Sequence, residues 1–468
     1  MPTPDHNLSN MAVEAKQLLY DAIIEYQGQA VGTIASLDCD GMAATNYHDC
    51  FIRDFVSAAM VFLIEGDTEI VRNFLCLLVE LHDRRKTDIG HSRVSGVMPA
   101  SFRVRDDGKG NIHLHADYGD MAIGRVTPVD SMLWWLILLG LYCRVTGDTT
   151  LASGPGFQIC IRAILDQCLR ERLEDLPTLL VPDGSFMVDR RLGVYGHPLE
   201  IQVLLYAALE TGSQLLHPEE AQLPLIKLAE KRRRALCSYL RMFYWLDLPR
   251  LNEIHRFDTE EFGADSRNML NICPQSIPDW LVDWLPDQAG FFVANLGPAR
   301  MDFRFFAGGN LYAILYGIAH ETQTTAILDL YEARWDSLIG AMPVKLSYPA
   351  LVKQEWTLLT GCDAKNVPWS YHNGGNWPAL LQSFVGAALL GGRSDLAERA
   401  FALASHKLAR EQWPEYYDGR QGRLVGRRAN RKQLWSVSSW LVAYHLLQDP
   451  GLATLLAPAP LVQSQKNP

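Results

Sequence analysis

The chain has 468 residues, with 43 Lys and Arg against 53 Asp and Glu, a formal charge of -10. Apolar residues make up 48% and charged residues 21%, a globular profile and not a disordered one. The acidic balance leaves no basic excess to displace counterions, which argues against a nucleic-acid or acidic-membrane partner.

In chain order, the N-terminal stretch MPTPDHNLSNMAVEAKQ lacks a basic segment followed by an apolar run, so no signal peptide is read. Helical spacing or continuous apolar character then marks twelve segments. They are Asn10–Gln27, Phe51–Ile64, Glu69–Leu81, Val129–Val145, Gly156–Leu173, Pro198–Leu209, Leu223–Tyr244, Ala307–Ala319, Thr324–Leu338, Trp377–Leu390, Ser394–Leu408 and Leu434–Leu447. Strand-like alternation is confined to short pieces such as Asn111–His115. The longest strongly apolar run, Met132 to Cys143, has 12 residues, too few to span a bilayer. The basic cluster Lys231-Arg232-Arg233-Arg234 reads as a solvated helix face. Nine scattered cysteines form no CxxC pair, so neither a zinc site nor a disulfide framework is indicated. Free thiols fit a reducing cytosol, and a cytoplasmic protein is expected.

Two kinds of joint alternate between the helices. Gly66-Asp67-Thr68, Gly147-Asp148-Thr149 and Gly392-Arg393-Ser394-Asp395 are tight turns, with glycine as a helix stop and Asp, Thr or Ser able to cap the next helix. The other joints are long and rich in aromatic, glycine and charged residues: 46–55, 117–131, 182–200, 291–310, 363–378 and 413–436. Helices running up and down about an axis would gather all six at one end. The expected fold is therefore all-α, an (α/α)6 barrel of six helical hairpins in a double-layered toroid. Residues 1–468 are read as a single domain, with 1–9 and 456–468 as tails.

Aromatic planes beside fixed charged donors and acceptors are what a sugar ring requires. No GxxxxGK[ST], no strand-borne GxGxxG, no GxSxG and no HExxH occurs, so nucleotide, acyl-enzyme and zinc-protease chemistry are not indicated. His113 and His115 do not read as metal ligands. Glycosidic cleavage needs two carboxylates, one protonated and one ionised. The loops offer Asp49, Asp54, Asp117, Asp120, Asp130, Asp183, Asp189, Glu200, Asp302, Asp363, Glu415 and Asp418. Asp130, just before an apolar helix, reads first as an N-cap. Asp189 follows Phe186, Met187 and Val188, where desolvation would raise its pKa, while Arg190 and Arg191 would oppose that if they turned inward. Glu415 stands among Trp413, Tyr416 and Tyr417. Residue chemistry alone leaves the choice open.

Seven co-linear stretches carry a closer likeness: NYHDCFIRDF, HADYGDMAIGRVTPVDSMLWW, LLVPDGSFMVDRRLGVYGHPLEIQ, RLNEIHRFDTEEFG, NLGPARMDFRFFAGGNL, PWSYHNGGNWP and WPEYYDGRQGRLVGRRANRKQLWS. Over roughly residues 10–450 the chain resembles the neutral/alkaline invertases of plants and cyanobacteria, glycoside hydrolase family 100, in a compact cyanobacterial-type form. The resemblance implies an α/α-six barrel, hydrolysis of sucrose to glucose and fructose, no metal or other cofactor, and homo-oligomers. It assigns Asp189 as general acid and Glu415 as general base. On that premise Phe51, Tyr118, Trp135, Phe186 and Trp435 are stacking candidates. Asp54, Asp120, Asp130, His372, Asn373, Arg431 and Gln433 are hydroxyl-contact candidates, and Tyr195 is a further substrate contact. Arg431 with Gln433 is the preferred fructosyl-side pair. The rival readings are an exo-acting glucosidase on another small disaccharide and a non-catalytic sugar-binding helical protein.

Overall fold

The computed structural model describes residues 4–38, 46–84, 88–89, 92–93, 97–120, 126–170, 176–256, 270, 272–297 and 300–457. Cys39, residues 121–125, 171–173, 257–263 and 298–299 of the segments named above, and the ends 1–3 and 458–468 lie outside them.

Six helices close into an inner ring. Ile52–Glu65 packs on Asp130–Thr146, which packs on Leu199–Leu215. The ring continues through Ala307–Leu315, Leu381–Leu390 and Leu434–Gln448, and the last returns to Ile52–Glu65. The sequence explains the placement, because these helices are apolar on every side. In Asp130–Thr146 the side chains of Met132–Leu136 and Leu138–Cys143 are all buried, as only a helix enclosed by others can manage.

The outer layer consists of Pro4–Asp21, Thr68–Arg84, Pro155–Cys168, Leu223–Tyr239, Glu321–Ala333 and Ser394–Lys407. Its helices are one-sided. Thr68–Arg84 buries Ile70, Val71, Phe74, Leu75, Leu78 and Leu81, the spacing of a single apolar stripe, and it lies across the first two inner helices. The double-layered helical barrel expected from the alternating joints is therefore present.

At the tight joints the glycine stops behave as read, but the N-caps at Thr149 and Arg393 carry no side-chain cap hydrogen bond. Gly147 ends its helix at φ 71, a left-handed conformation that costs glycine little, and its N–H returns to the carbonyl of Cys143. Thr149 makes no cap with its side chain; instead Asp148 accepts from the Thr150 N–H at 2.8 Å.

Several readings need correction. The first helix runs from Pro4 to Asp21 instead of from Asn10 to Gln27. Ile23–Tyr26 turns back on Gln29–Thr33 as an antiparallel hairpin, with Gln27 at φ 54 and Gly28 at φ 75 in the turn. Lys231 and Arg234 of the basic cluster are exposed as read, but Arg233 is half-buried and Arg232 is withdrawn from solvent. Arg232 is buried and donates to the Pro177 carbonyl, and Arg233 bonds the Tyr206 hydroxyl.

Strands are also more extensive than the alternation showed. Ser101–Asp106 pairs with Ile112–Asp117, as the Asn111–His115 stretch suggested. Gly290–Gly297 and Arg300–Phe306 form a further antiparallel pair, almost wholly inside the segment 291–310 read as a loop. This pair gathers His197–Pro198, Trp245–Asp247 and Ser347–Tyr348 into one sheet. Gly290 to Asn295 are buried without a break, so no period of two was visible. Cys50–Phe51, His197–Pro198 and Arg300–Phe306 each run directly into an inner helix, so the sheets brace the ends from which those helices start.

Candidate active site

A pocket of about 640 Å3 opens where the segments before four inner helices converge: 46–54, 187–190, 363–377 and 415–435. Its aromatic wall is Tyr47, Phe51, Tyr371, Trp377 and Trp435. Charges of both signs are interleaved with these rings, a lining that suits a polyhydroxylated ligand with apolar faces.

Asp189 stands on a short turn, its N–H bonded to the Met187 carbonyl at 3.0 Å. Its side chain is 46% open to the pocket, but the surrounding protein walls keep bulk water from solvating it well. That desolvation pushes its carboxyl above the usual range. Arg53, Lys365 and Arg190 pull the other way, while Glu415 adds to the rise. The two arginines that follow point elsewhere. One Nη of Arg190 bonds both oxygens of Asp363 at 2.7 Å, and Arg191 lies 3.9 Å from Asp183.

Glu415 is buried, and its N–H is tied to the Asn430 carbonyl at 2.8 Å. The Tyr47 hydroxyl donates to its Oε1 at 2.6 Å, and Lys365 Nζ stands 3.6 Å from its Oε2. Lys365 also lies 3.9 Å from the centre of the Tyr371 ring. Cross-links hold this segment against 363–377. Asn376 and Tyr417 exchange backbone hydrogen bonds, and the Gly419 N–H reaches the Trp369 carbonyl. Gly419 must be glycine, because a Cβ there would sit 1.5 Å from the Gly374 oxygen.

Asp54 lies in the first turn of its inner helix and lines the same pocket. Burial raises its carboxyl to about 7, against the pull of Arg53 and with help from Asp189 and Glu415. His372 has its Nδ1 3.6 Å from Asp189 Oδ1. Burial drives its imidazole well below the ordinary value, and Lys365, Arg190 and Arg53 add to the fall, so the ring is neutral.

The pocket thus brings together Asp189, Glu415, Phe51, Asp54, His372, Gln433 and Trp435 from the residues singled out in the sequence. Eight others lie elsewhere. Trp135 is fully buried and stacks on Phe157. Phe186 faces the core while its neighbour Met187 faces the pocket. Asn373 is a buried bracket, bonding both the N–H and the carbonyl of Leu351. Tyr118 donates to the Leu81 carbonyl. Tyr195 and Asp120 are exposed outside the pocket wall. Arg431 is exposed too, with its carbonyl held by the Ser36 hydroxyl. Asp130 is no N-cap: Val129 holds that position, and Asp130 is the first helical residue, paired with Arg53 at 2.5 Å.

The sequence reading missed Tyr47, Arg53, Lys365, Tyr371 and Trp377 as wall residues. All five lie in the segments already flagged as rich, so the segment was legible but not the direction of each side chain. Among the described residues, no three of His, Cys, Asp and Glu stand close enough to hold a metal ion.

Comparison with known proteins adds findings of three kinds. Residues 15–450 match the family described as alkaline and neutral invertase. The chain is 46% identical over 449 residues to alkaline/neutral invertase C, mitochondrial, of Arabidopsis thaliana, covering 95% of this chain and 68% of that one. It is 48% identical over 438 residues to cytosolic invertase 1 of Oryza sativa subsp. japonica, covering 93% and 78%. Among solved structures, a wild-type glycosidase superposes with a TM-score of 0.57 at 12% identity, covering 96% of this chain and 99% of that one, a likeness of fold.

Proposed function

Because the chain belongs to the alkaline and neutral invertases, glycoside hydrolase family 100, we propose that it hydrolyses sucrose to glucose and fructose in the pocket lined by Asp189 and Glu415. Protonated Asp189 donates its proton to the glycosidic oxygen as the bond to the glucosyl anomeric carbon breaks. Ionised Glu415 takes a proton from the water whose oxygen bonds to that carbon. This is a single displacement with inversion, and it calls for carboxyl groups ~6.5–9.5 Å apart.

One observation carries the reading. Four pocket residues present buried polar atoms with no hydrogen-bond partner among the described residues: Asp189 Oδ1, His372 Nδ1, Glu415 Oε2 and Gln433 Oε1. Folded proteins rarely leave such atoms unsatisfied. Here all four belong to residues that line one pocket edged by aromatic rings, a lining that suits a ligand dense in hydroxyls. The raised carboxyl of Asp189 supports the acid role. The hydroxyl and ammonium facing Glu415 are partners suited to an ionised base.

The same reading makes the whole chain one catalytic domain, located in the cytoplasm and working as a homo-oligomer on a small sugar. Eight cysteines stand among the described residues with no disulfide between them, which supports a reducing compartment. No helix among the described residues is long and apolar enough to cross a membrane. Light scattering of the purified protein tests the assembly.

The test of function is product analysis. Purified protein given sucrose should release equimolar glucose and fructose, with maltose and trehalose cleaved far more slowly. Asp189→Asn and Glu415→Gln should each lower turnover by about 10²–10⁴-fold. Near-wild-type turnover in both would remove the assignment.

A further inference from the structure

Under the pocket lies a charge pair with no part in the proposed proton transfers. Asp130 opens the inner helix Asp130–Thr146 and is fully buried. Its Oδ2 accepts from Arg53 Nε at 2.5 Å, while its Oδ1 has no hydrogen-bond partner. Arg53 sits between two spaces. It lines the sugar pocket, and it also lines a cavity of about 60 Å3 to which all six inner helices contribute, the lumen of the barrel.

Arg53 is faced from every side by titratable groups. Asp54 comes from its own helix, Asp130 from the next, and Glu200 from the third. Asp189 stands on the loop above, Tyr312 comes from the fourth inner helix, and His372 from the segment 363–377. Glu415 and Lys365 act on Asp189 from other segments of the pocket, and Arg190 from the next position in the chain. An arginine so placed has a choice of carboxylates. Closing on Asp189 would hold that group ionised, and an ionised carboxylate cannot act as an acid.

We propose that Asp130 is a positioning residue that pins the Arg53 guanidinium to the pocket floor by its Nε, leaving the Nη groups for substrate hydroxyls and keeping Arg53 from closing on Asp189. The guanidinium fork makes this possible, because one edge can be held while the other still donates. This proposal rests on the reading of Asp189 as the general acid.

The test is Asp130→Asn, which keeps the shape and removes the charge. Misplacement of the floor should lower kcat by about 10- to 100-fold. The alkaline limb of the kcat/KM profile should also move to lower pH, because a freed Arg53 favours ionised Asp189 and the acid is then lost sooner as pH rises. A purely structural defect would lower activity without moving that limb. Asp130→Glu should recover part of the rate and of the limb position. In an Arg53→Met background Asp130→Asn should cost less than about twofold, because the two residues act as one unit.

An alkaline limb that coincides with that of the wild type, or an equal loss with and without Arg53, would overturn the proposal. If Asp130→Asn does not fold, Asp130→Glu carries the same cycle with the same two outcomes. Failure of the underlying reading looks different: Asp189→Asn would itself turn over sucrose normally.

Discussion

Tyr47 and Glu415 stand 368 residues apart in the chain, yet the phenol of one donates a 2.6 Å hydrogen bond to the carboxylate of the other. Burial holds the Tyr47 hydroxyl well above its ordinary pKa, with Glu415 adding to the rise, so it remains a donor across any working pH. The bond fixes one oxygen of Glu415, while Oε2 has no hydrogen-bond partner among the described residues. A hydrogen bond to a charged group contributes about 1.5–3 kcal/mol. Tyr47→Phe should therefore reduce kcat on sucrose by about tenfold or more while KM changes little. Steady-state kinetics would show this, and an unchanged kcat would mean that the bond does not orient the base.

Asp54 should weaken the fold as its proton leaves. Its carboxyl is raised to about 7 from 3.8. The unfolded chain gives up this proton near the ordinary value, and the folded chain holds it until about neutrality. The folded state is therefore favoured at low pH and loses that advantage as pH rises from about 4 to about 7. Asp54→Asn carries no such proton. Its melting temperature, relative to wild type, should be more favourable at pH 8 than at pH 4, although the variant loses activity. An equal difference at both pH values would contradict the assignment of Asp54 as a desolvated acid.

Gly419→Ala tests the close packing behind Glu415. The added methyl would collide with the Gly374 backbone, and backbone cannot move aside as a flexible side chain can. A destabilisation of about 1–3 kcal/mol is expected, together with a loss of turnover as the segment carrying Glu415 shifts. Thermal unfolding and sucrose kinetics on the same preparation would check both.

Gln433 and Arg431 were paired in the sequence but part company in space. Gln433 is buried on the pocket wall and Arg431 is exposed away from it. Gln433→Ala should lower kcat/KM on sucrose by about tenfold, and by less on an aryl glucoside that lacks the fructosyl unit. Arg431→Ala should stay within about twofold of wild type on both. Equal losses on the two substrates for Gln433→Ala would move that residue to the glucosyl side.

What the sequence made legible, and what it hid, follows from periodicity. The inner helices were readable because enclosure on all sides leaves runs such as Met132 to Cys143 with no polar face. Outer helices were readable from their stripes, and the tight joints from glycines such as Gly147. The hairpin Gly290–Gly297 with Arg300–Phe306 was not, because strands buried on both faces show no alternation.

The site shows the same limit. Six rich segments were found, but adjacent residues in an irregular loop face different ways by a geometry that only the folded chain sets. Phe186 enters the core and Met187 enters the pocket. Asn373 resembles a sugar ligand in composition, yet spends its amide on the Leu351 backbone. Asp130 and Asp54 both begin inner helices. One is turned under the floor onto Arg53 and the other into the pocket.

The measurement that bears most directly on the two-carboxylate account is the anomeric form of the glucose first released from sucrose, followed by proton NMR before mutarotation. Attack of a Glu415-activated water on the face opposite the bond that Asp189 protonates converts the α-glucosyl unit to β-glucose, and the β signal should appear first. If α-glucose appears first, the reaction retains configuration, and Glu415 cannot act on water in the way proposed.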